Sequence, residues 1–219
     1  MRRLKTSGLQ ILTHIAALLP LAIIAWDFTQ NRLTVNPIKE LQLRTGRYAL
    51  LLLVLSLSCT PIGRVFGIKP VLRLRRTLGL YAFAYASLHL LNFVGLDYGF
   101  DFALIREDIA EKRFAFAGLA AFLCLLPLAI TSTKGWMRRL GKNWERLHWL
   151  VYPAALLAVT HFVWQVKADF RRPLLYGFIV VLLLIVRLPG VRQAISKLRS
   201  RLFPTNERTP RNDKLSSQM

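Results

Sequence analysis

Residues 78–96 read LGLYAFAYASLHLLNFVGL, a run without Asp, Glu, Lys or Arg in which one histidine, His89, is embedded. At 1.5 Å per residue, a helix of this length crosses about 30 Å of hydrocarbon. Five similar apolar runs occupy residues 8–26, 48–62, 114–130, 147–164 and 174–188. None alternates polar and apolar residues as a barrel strand does, and backbone groups in lipid must bond within their own segment. We therefore expect an all-α integral membrane bundle of six transmembrane helices.

Charged residues between the runs are divided very unequally. If the termini and alternate loops share one side, that side carries 21 of the 31 Lys and Arg and only three of the 11 acidic residues, a net charge of +18. The other side carries 10 basic and eight acidic residues, a net charge of +2. Because cytoplasmic loops are enriched in Lys and Arg, we expect both termini to be cytoplasmic.

Composition also divides the chain and limits its partners. Residues 1–190 hold the membrane runs, whereas residues 191–219 form a basic, polar segment that we expect to be a disordered cytoplasmic tail. The overall net charge of +20 follows the topology pattern, so it predicts a lipid bilayer as partner and no nucleic acid. There is no P-loop and no Gly-rich dinucleotide motif, which means that reducing equivalents must come from a partner or a lipid-soluble donor.

All four histidines, His14, His89, His148 and His161, lie within or at the edge of apolar runs. Ionisable groups in the bilayer usually mark a functional path. A single such histidine is as well explained by a hydrogen bond between helices. Because all four histidines lie within or at the edge of apolar runs and none lies in a loop, the pattern favours a cofactor.

Depth in the membrane predicts which histidines pair. His89 lies roughly 18 Å and His161 roughly 21 Å from the cytoplasmic ends of their runs. A bis-histidine haem needs two imidazoles at matched height on facing helices, so these two are the predicted ligands of haem iron. Each also follows two alanines at helical spacing, Ala82 and Ala86 or Ala154 and Ala158. Such stripes suit either a flat macrocycle or close helix packing.

His148 and His14 leave alternatives open. His148 lies 13 residues before His161, about 20 Å along a helix and on a different face, although Pro153 lies between them. His148 and His14 are candidates for a second haem or other cofactor, a quinone site or a structural contact.

Arginine clusters suggest anion sites on both faces. On the cytoplasmic side, Arg75 and Arg76, with further basic residues, suit either a flavin phosphate or the topology signal. On the other side, Arg47 lies at the depth of haem propionates. The further residues are Arg73, Arg138, Arg139 and Lys142 on the first side, and Arg113 and Lys167 on the second.

Several stretches, in order, resemble a known family. They are TGR at residues 45–47, RRTLGL at 75–80, AYASLHL at 84–90, TST at 131–133 and LGKNWERLH at 140–148. Histidines on the third and fifth of six helices resemble the ferric-reductase-like transmembrane domain. More closely, these stretches are similar to the MsrQ (YedZ) family, the haem-binding membrane subunits of bacterial periplasmic methionine sulfoxide reductase systems.

The resemblance implies a bacterial inner-membrane protein with haem b and FMN. It further implies electrons from the quinone pool and delivery to a periplasmic molybdenum-containing subunit that repairs methionine sulfoxide. Carried over by position, His89, His148 and His161 match the family's haem-associated histidines. Such a chain is an electron-transfer subunit rather than a stand-alone enzyme.

Two rival functions remain at this point. A metalloreductase would reduce ferric or cupric ions directly at the periplasmic face, where Asp97, Asp101, Glu107 and Asp108 supply carboxylates. A non-redox transporter or scaffold would use the histidines only to bond helices together.

Overall fold

The computed structural model describes residues 8–191, 193, 194 and 197, and every regular element in this part is helical. The prediction of an all-α bundle is confirmed. The helices are α1 (Gly8–Thr29), α2 (Pro37–Val65), α3 (Lys69–Leu91), α4 (Phe102–Glu111), α5 (Arg113–Ile130), α6 (Lys134–Leu140), α7 (Lys142–Leu147), α8 (Val151–Gln165) and α9 (Arg171–Ile185). A π-helical segment, Asn92–Asp97, extends α3, and a 3-10 turn, His148–Leu150, joins α7 to α8.

Within the described residues, five segments are long and apolar enough to cross a membrane, so the chain is a multi-pass membrane protein. They are Gly8–Thr29, Pro37–Val65, Lys69–Asp97, Arg113–Ile130 and Lys142–Gln165. The sixth predicted span coincides with α9, which has only 15 residues. The count of six and the orientation of the termini therefore stay predictions. Nearly all of the tail predicted at 191–219 lies outside the described residues.

The second span begins 11 residues earlier than the apolar run 48–62 predicted. Its start is defined by capping: the Asn36 side chain accepts a hydrogen bond from the Lys39 amide at 2.9 Å, and Pro37 takes the first helical position. Arg44 then pairs with Glu40 and with Asp27 of α1, both at 2.5 Å. These polar residues extend α2 beyond its apolar part, which hydropathy alone cannot detect.

The bundle is organised around α2. Half of its 18-residue apolar window is buried, against 17–22% in the other four spans. The most extensive helix contacts are those of α2 with α3 and of α5 with α8, so the core consists of two antiparallel hairpins. α1 packs against α3, and α9 packs against α8 and α2. α1 and α9 therefore flank the two hairpins α2–α3 and α5–α8.

One arginine compensates for a proline in the membrane. Pro61, inside α2, has no N–H, so the Leu57 carbonyl loses its usual partner four residues later. Arg187, just after α9, donates to that carbonyl from Nη2 at 2.6 Å and to the Tyr152 hydroxyl from Nη1 at 3.0 Å. The guanidinium therefore ties the end of α9 to α2 and α8.

We expect Arg187→Met to lower the free energy of unfolding by about 1–3 kcal/mol, because it leaves the Leu57 carbonyl without a donor. The loss should be smaller in the Pro61→Ala background, since an alanine at this position restores the amide that α2 lacks. Thermal melting of the four proteins of this double-mutant cycle in detergent measures the coupling. Equal losses in both backgrounds would contradict the assignment.

Candidate functional site

Two of the predicted histidines face each other where α3 and α8 end. The ring centroids of His89 and His161 are 5.9 Å apart, and their planes are inclined by 84°. A metal–imidazole nitrogen bond is about 2.0 Å, so two imidazoles on opposite sides of one metal ion have centroids roughly 6 Å apart. The two rings therefore have the spacing expected if both bound the same metal ion. In the part of the chain that the structure describes, no group of three or more His, Cys, Asp or Glu is placed to hold a metal ion.

Backbone carbonyls hold both imidazoles in the same way. His89 donates from Nδ1 to the Gln42 carbonyl of α2 at 2.9 Å, and His161 donates from Nδ1 to the Phe114 carbonyl of α5 at 2.6 Å. Because a carbonyl only accepts, Nδ1 carries the proton in each ring. Nε2 is then left with the lone pair that binds a metal, as is usual for ligating histidines.

A glycine lies directly beneath each ring. A Cβ added at Gly46 of α2 would meet His89 Cε1 at 2.8 Å, and one at Gly118 of α5 would meet His161 Nδ1 at 2.7 Å. Real Cβ atoms do not approach other atoms so closely. Glycine is therefore required at both positions for the neighbouring helix to approach the imidazole.

The two halves of the site repeat at a constant spacing of 72 residues. Gly46 and Gly118, Ala82 and Ala154, Ala86 and Ala158, and His89 and His161 are each separated by this interval. Each histidine also bonds the carbonyl 47 residues before it, four residues before its glycine. The hairpins α2–α3 and α5–α8 thus supply equivalent halves. Sequence reasoning noted the matched alanines but missed this repeat, which a search for identical residues at a fixed interval detects.

Two side-chain amides form a hydrogen-bond network around His89, and His161 has no such network among the described residues. Asn92, only 6% exposed, donates from Nδ2 to the Gln42 side-chain oxygen at 2.7 Å and to the Ile38 carbonyl at 3.2 Å. Gln42 in turn donates from its Nε2 to His89 Nε2 at 3.3 Å. Asn92 begins the π-helical segment, an irregularity that often marks functional sites. Sequence reasoning missed both amides, although an Asn inside an apolar run is a signal in itself.

The alanine stripes pack helices together. Ala82 and Ala154 are 1% and 0% exposed and belong to the main core cluster, against which Ala86 and Ala158 are partly buried. At Ala82 and Ala154 the stripe therefore serves close packing of α3 and α8, the second of the two interpretations that the sequence left open.

The other two histidines have different partners. His14 of α1 hydrogen-bonds through Nδ1 to the Tyr81 hydroxyl at 2.9 Å. His148 donates from Nδ1 to the Trp144 carbonyl at 3.0 Å, and its ring lies against the Trp144 indole with centroids 3.8 Å apart. The described contacts bring neither histidine to the His89–His161 pair.

The predicted arginines lie on the surface, at opposite ends of the bundle. Arg47 is exposed and follows Gly46, beside the histidine pair. Arg75 and Arg76 are exposed near the other end of α3. A groove at α6 is lined by Arg138 and Arg139.

A known protein family matches the region that contains the two hairpins. The family profile of the ferric reductase like transmembrane component matches residues 45–159, which include both glycines and His89 and end two residues before His161. No solved structure matches the chain.

Curated relatives match over most of their length. A protein-methionine-sulfoxide reductase heme-binding subunit MsrQ of Xanthomonas axonopodis pv. citri is 48% identical over 179 residues, 79% of this chain and 82% of that protein. The protein of the same name from Rhodospirillum rubrum is 46% identical over 186 residues, 84% of this chain and 89% of that protein.

We expect Gly118→Ala to destabilise the protein by about 1–3 kcal/mol, because the new methyl group displaces His161 and strains its bond to Phe114. Gly177→Ala on α9 is the matched control, since its Cβ would meet only Val159 Cγ1, at 3.3 Å. Thermal melting in detergent compares the two. Equal melting temperatures would show that the imidazole does not lie against Gly118.

Proposed function

Because the chain belongs to the MsrQ family of haem-binding membrane subunits, built on the ferric reductase like transmembrane component, we propose that it is the electron-carrying membrane subunit of a protein-methionine-sulfoxide reductase. The observation that carries the proposal is the His89–His161 pair, with ring centroids 5.9 Å apart. The protein's part is to bind, orient and insulate a redox cofactor whose chemistry is its own.

The residues of the pair fit haem b. His89 and His161 would hold the haem iron, because both rings are held through Nδ1 and leave Nε2 available for a metal. The Gln42 amide nitrogen, now 3.3 Å from His89 Nε2, must turn away for that nitrogen to bind iron. Bound there, haem supplies a one-electron ferric/ferrous couple.

The surroundings favour electron transfer over oxygen chemistry. The carbonyl bonds to Phe114 and Gln42 fix both rings on rigid helices, so a haem held by both imidazoles would be suited to electron transfer. Arg47, with Arg113 and Lys167, is proposed to meet the haem propionates, because all three are exposed at the end of the bundle where the pair lies.

We place the protein in the bacterial inner membrane, with both termini in the cytoplasm and the histidine pair towards the periplasm. Electrons would enter from the quinone pool and leave to a periplasmic molybdenum-containing subunit that repairs oxidised methionine in proteins. The charge asymmetry of +18 against +2 supports this orientation. Arg75 and Arg76 are the proposed contacts of an FMN phosphate on the cytoplasmic side, through which electrons from the quinone pool would pass to the haem.

We expect the purified protein to show a low-spin b-type haem spectrum that is lost in His89→Ala and in His161→Ala, because each variant removes one axial ligand. Thr160→Val is the matched control: Thr160 precedes His161, but its hydroxyl bonds only the Leu156 carbonyl of its own helix. Absorption spectra with haem quantified per chain test this. A colourless wild-type protein, made with ample haem, or ready binding of carbon monoxide would contradict the proposal.

His148 provides a separate prediction about haem count. If it ligates a second haem, His148→Ala lowers the haem per chain but leaves the His89–His161 spectrum in place. If its contacts with Trp144 are structural, the haem per chain stays the same and only the melting temperature falls. We expect the second result, because the His148 ring packs against the Trp144 indole and no described histidine faces it.

A further inference from the structure

α1 is one of the helices outside the two-hairpin repeat, and it carries a single titratable side chain within the apolar run 8–26. Residues 8–26 contain no Asp, Glu, Lys, Arg, Cys or Tyr, and only His14 interrupts them. His14 is about 9 Å along the helix axis from Gly8, well inside the apolar segment. An imidazole at this depth is costly enough to call for a reason.

The surface around His14 is one that lipid covers. Large apolar side chains on its own helix are strongly exposed, among them Ile11 at 50%, Leu12 at 60% and Ile15 at 58%. His14 itself is exposed among them. A molecule dissolved in the bilayer can therefore reach the imidazole from the side.

Only one of the two ring nitrogens of His14 has a hydrogen-bond partner among the described residues. Its Nδ1 lies 2.9 Å from the Tyr81 hydroxyl of α3, and the two rings meet edge to face at 5.7 Å. Its Nε2 has no hydrogen-bond partner among the described residues. A polar nitrogen without a partner in lipid is unfavourable, so the arrangement points to a ligand that completes it.

Holding α1 in place does not explain the pair. One turn further along, the buried Tyr85 hydroxyl donates to the Ala17 carbonyl at 2.8 Å, and Ala17 packs against α3 with 2% exposure. This contact already fixes α1 on α3. The His14–Tyr81 pair adds polar groups at the surface, where packing needs none.

We propose that His14 and Tyr81 form a binding site for the ring of a membrane quinol, with Nε2 of His14 as the hydrogen-bond partner of one ring oxygen. This inference rests on the proposed function, because it places the quinol donor named there. With the proton on Nδ1, His14 donates to Tyr81 and Nε2 accepts from a quinol hydroxyl. With Tyr81 donating to Nδ1, Nε2–H instead donates to a quinone carbonyl.

The same site thus suits the reduced and the oxidised headgroup, whereas a phospholipid phosphate only accepts and lies at the membrane surface. The site is also near the histidine pair. Tyr81 lies eight residues before His89 on α3, about 12 Å along the helix axis.

The first experiment measures binding without relying on haem. Purified protein in lipid nanodiscs is photolabelled with an azido-benzoquinone carrying a decyl tail, and the labelled peptides are identified by mass spectrometry. We expect label on α1 and α3 around His14 and Tyr81. Labelling should fall by about tenfold in His14→Phe and in Tyr81→Phe, the effect of one lost hydrogen bond.

Two further variants control for folding. Thr13→Val is the matched control, since Thr13 is adjacent to His14 but bonds only the Leu9 carbonyl of α1, and it should label as wild type does. His14→Gln keeps one hydrogen-bonding group and should retain part of the labelling. All variants are compared only if they melt cooperatively. Undiminished labelling in His14→Phe, or label confined to other helices, would overturn the site.

A second experiment separates this inference from the proposed function. Each decylubiquinol should be oxidised to the quinone by two ferric haems in one-electron steps, releasing two protons. This reduction should be equally fast in the wild type and Thr13→Val and about tenfold slower in His14→Phe, while dithionite reduces all three equally. Site-specific labelling with no haem reduction by quinol would refute the quinone pool as donor and leave the binding site standing. Equal quinol rates in all three would overturn the site and leave the function standing.

Discussion

The absence of water in the bilayer is the constraint on which the rest of this structure depends, because backbone polar groups within the hydrocarbon must find their partners inside the protein. The clearest case is the carbonyl of Leu57, which loses its helical partner to Pro61 and accepts a hydrogen bond from Arg187, just after α9. The same rule acts at the histidine pair. Each imidazole donates a hydrogen bond from Nδ1 to a backbone carbonyl. This bond fixes the tautomer in which Nε2 carries the lone pair that can bind a metal.

Close approach of helices follows from that requirement. An imidazole reaches a carbonyl on the next helix only if the helices nearly touch, and Gly46 and Gly118 permit this at the rings themselves. The buried alanines Ala82 and Ala154 permit it about two turns away. Small residues in this bundle therefore serve the placement of two polar side chains as well as packing.

Much of this was predictable from sequence because hydropathy and histidine depth are local properties. The apolar runs predicted the helical class, and matched depth predicted that His89 and His161 come together. The extension of α2 was missed because Asn36 and Arg44 act through capping and ion pairing, which mean hydropathy does not register. The Arg187–Leu57 contact joins residues 130 positions apart, and nothing in either segment indicates the other. Gln42 lay outside every apolar run, so its part beside His89 became visible only with the extended helix.

The 72-residue repeat has a consequence for how the protein is made. Membrane helices are inserted as the chain is synthesised, so the hairpin α2–α3, with Gly46 and His89, is in the bilayer before α5–α8 exists. In the folded protein the carbonyl of Gln42 orients His89, whereas the opposite ring, His161, belongs to the hairpin that is made last. The pair arises only when the second hairpin docks, which makes its formation a late event in biogenesis. A truncated chain that ends before α8 would carry half of the site and lack the whole.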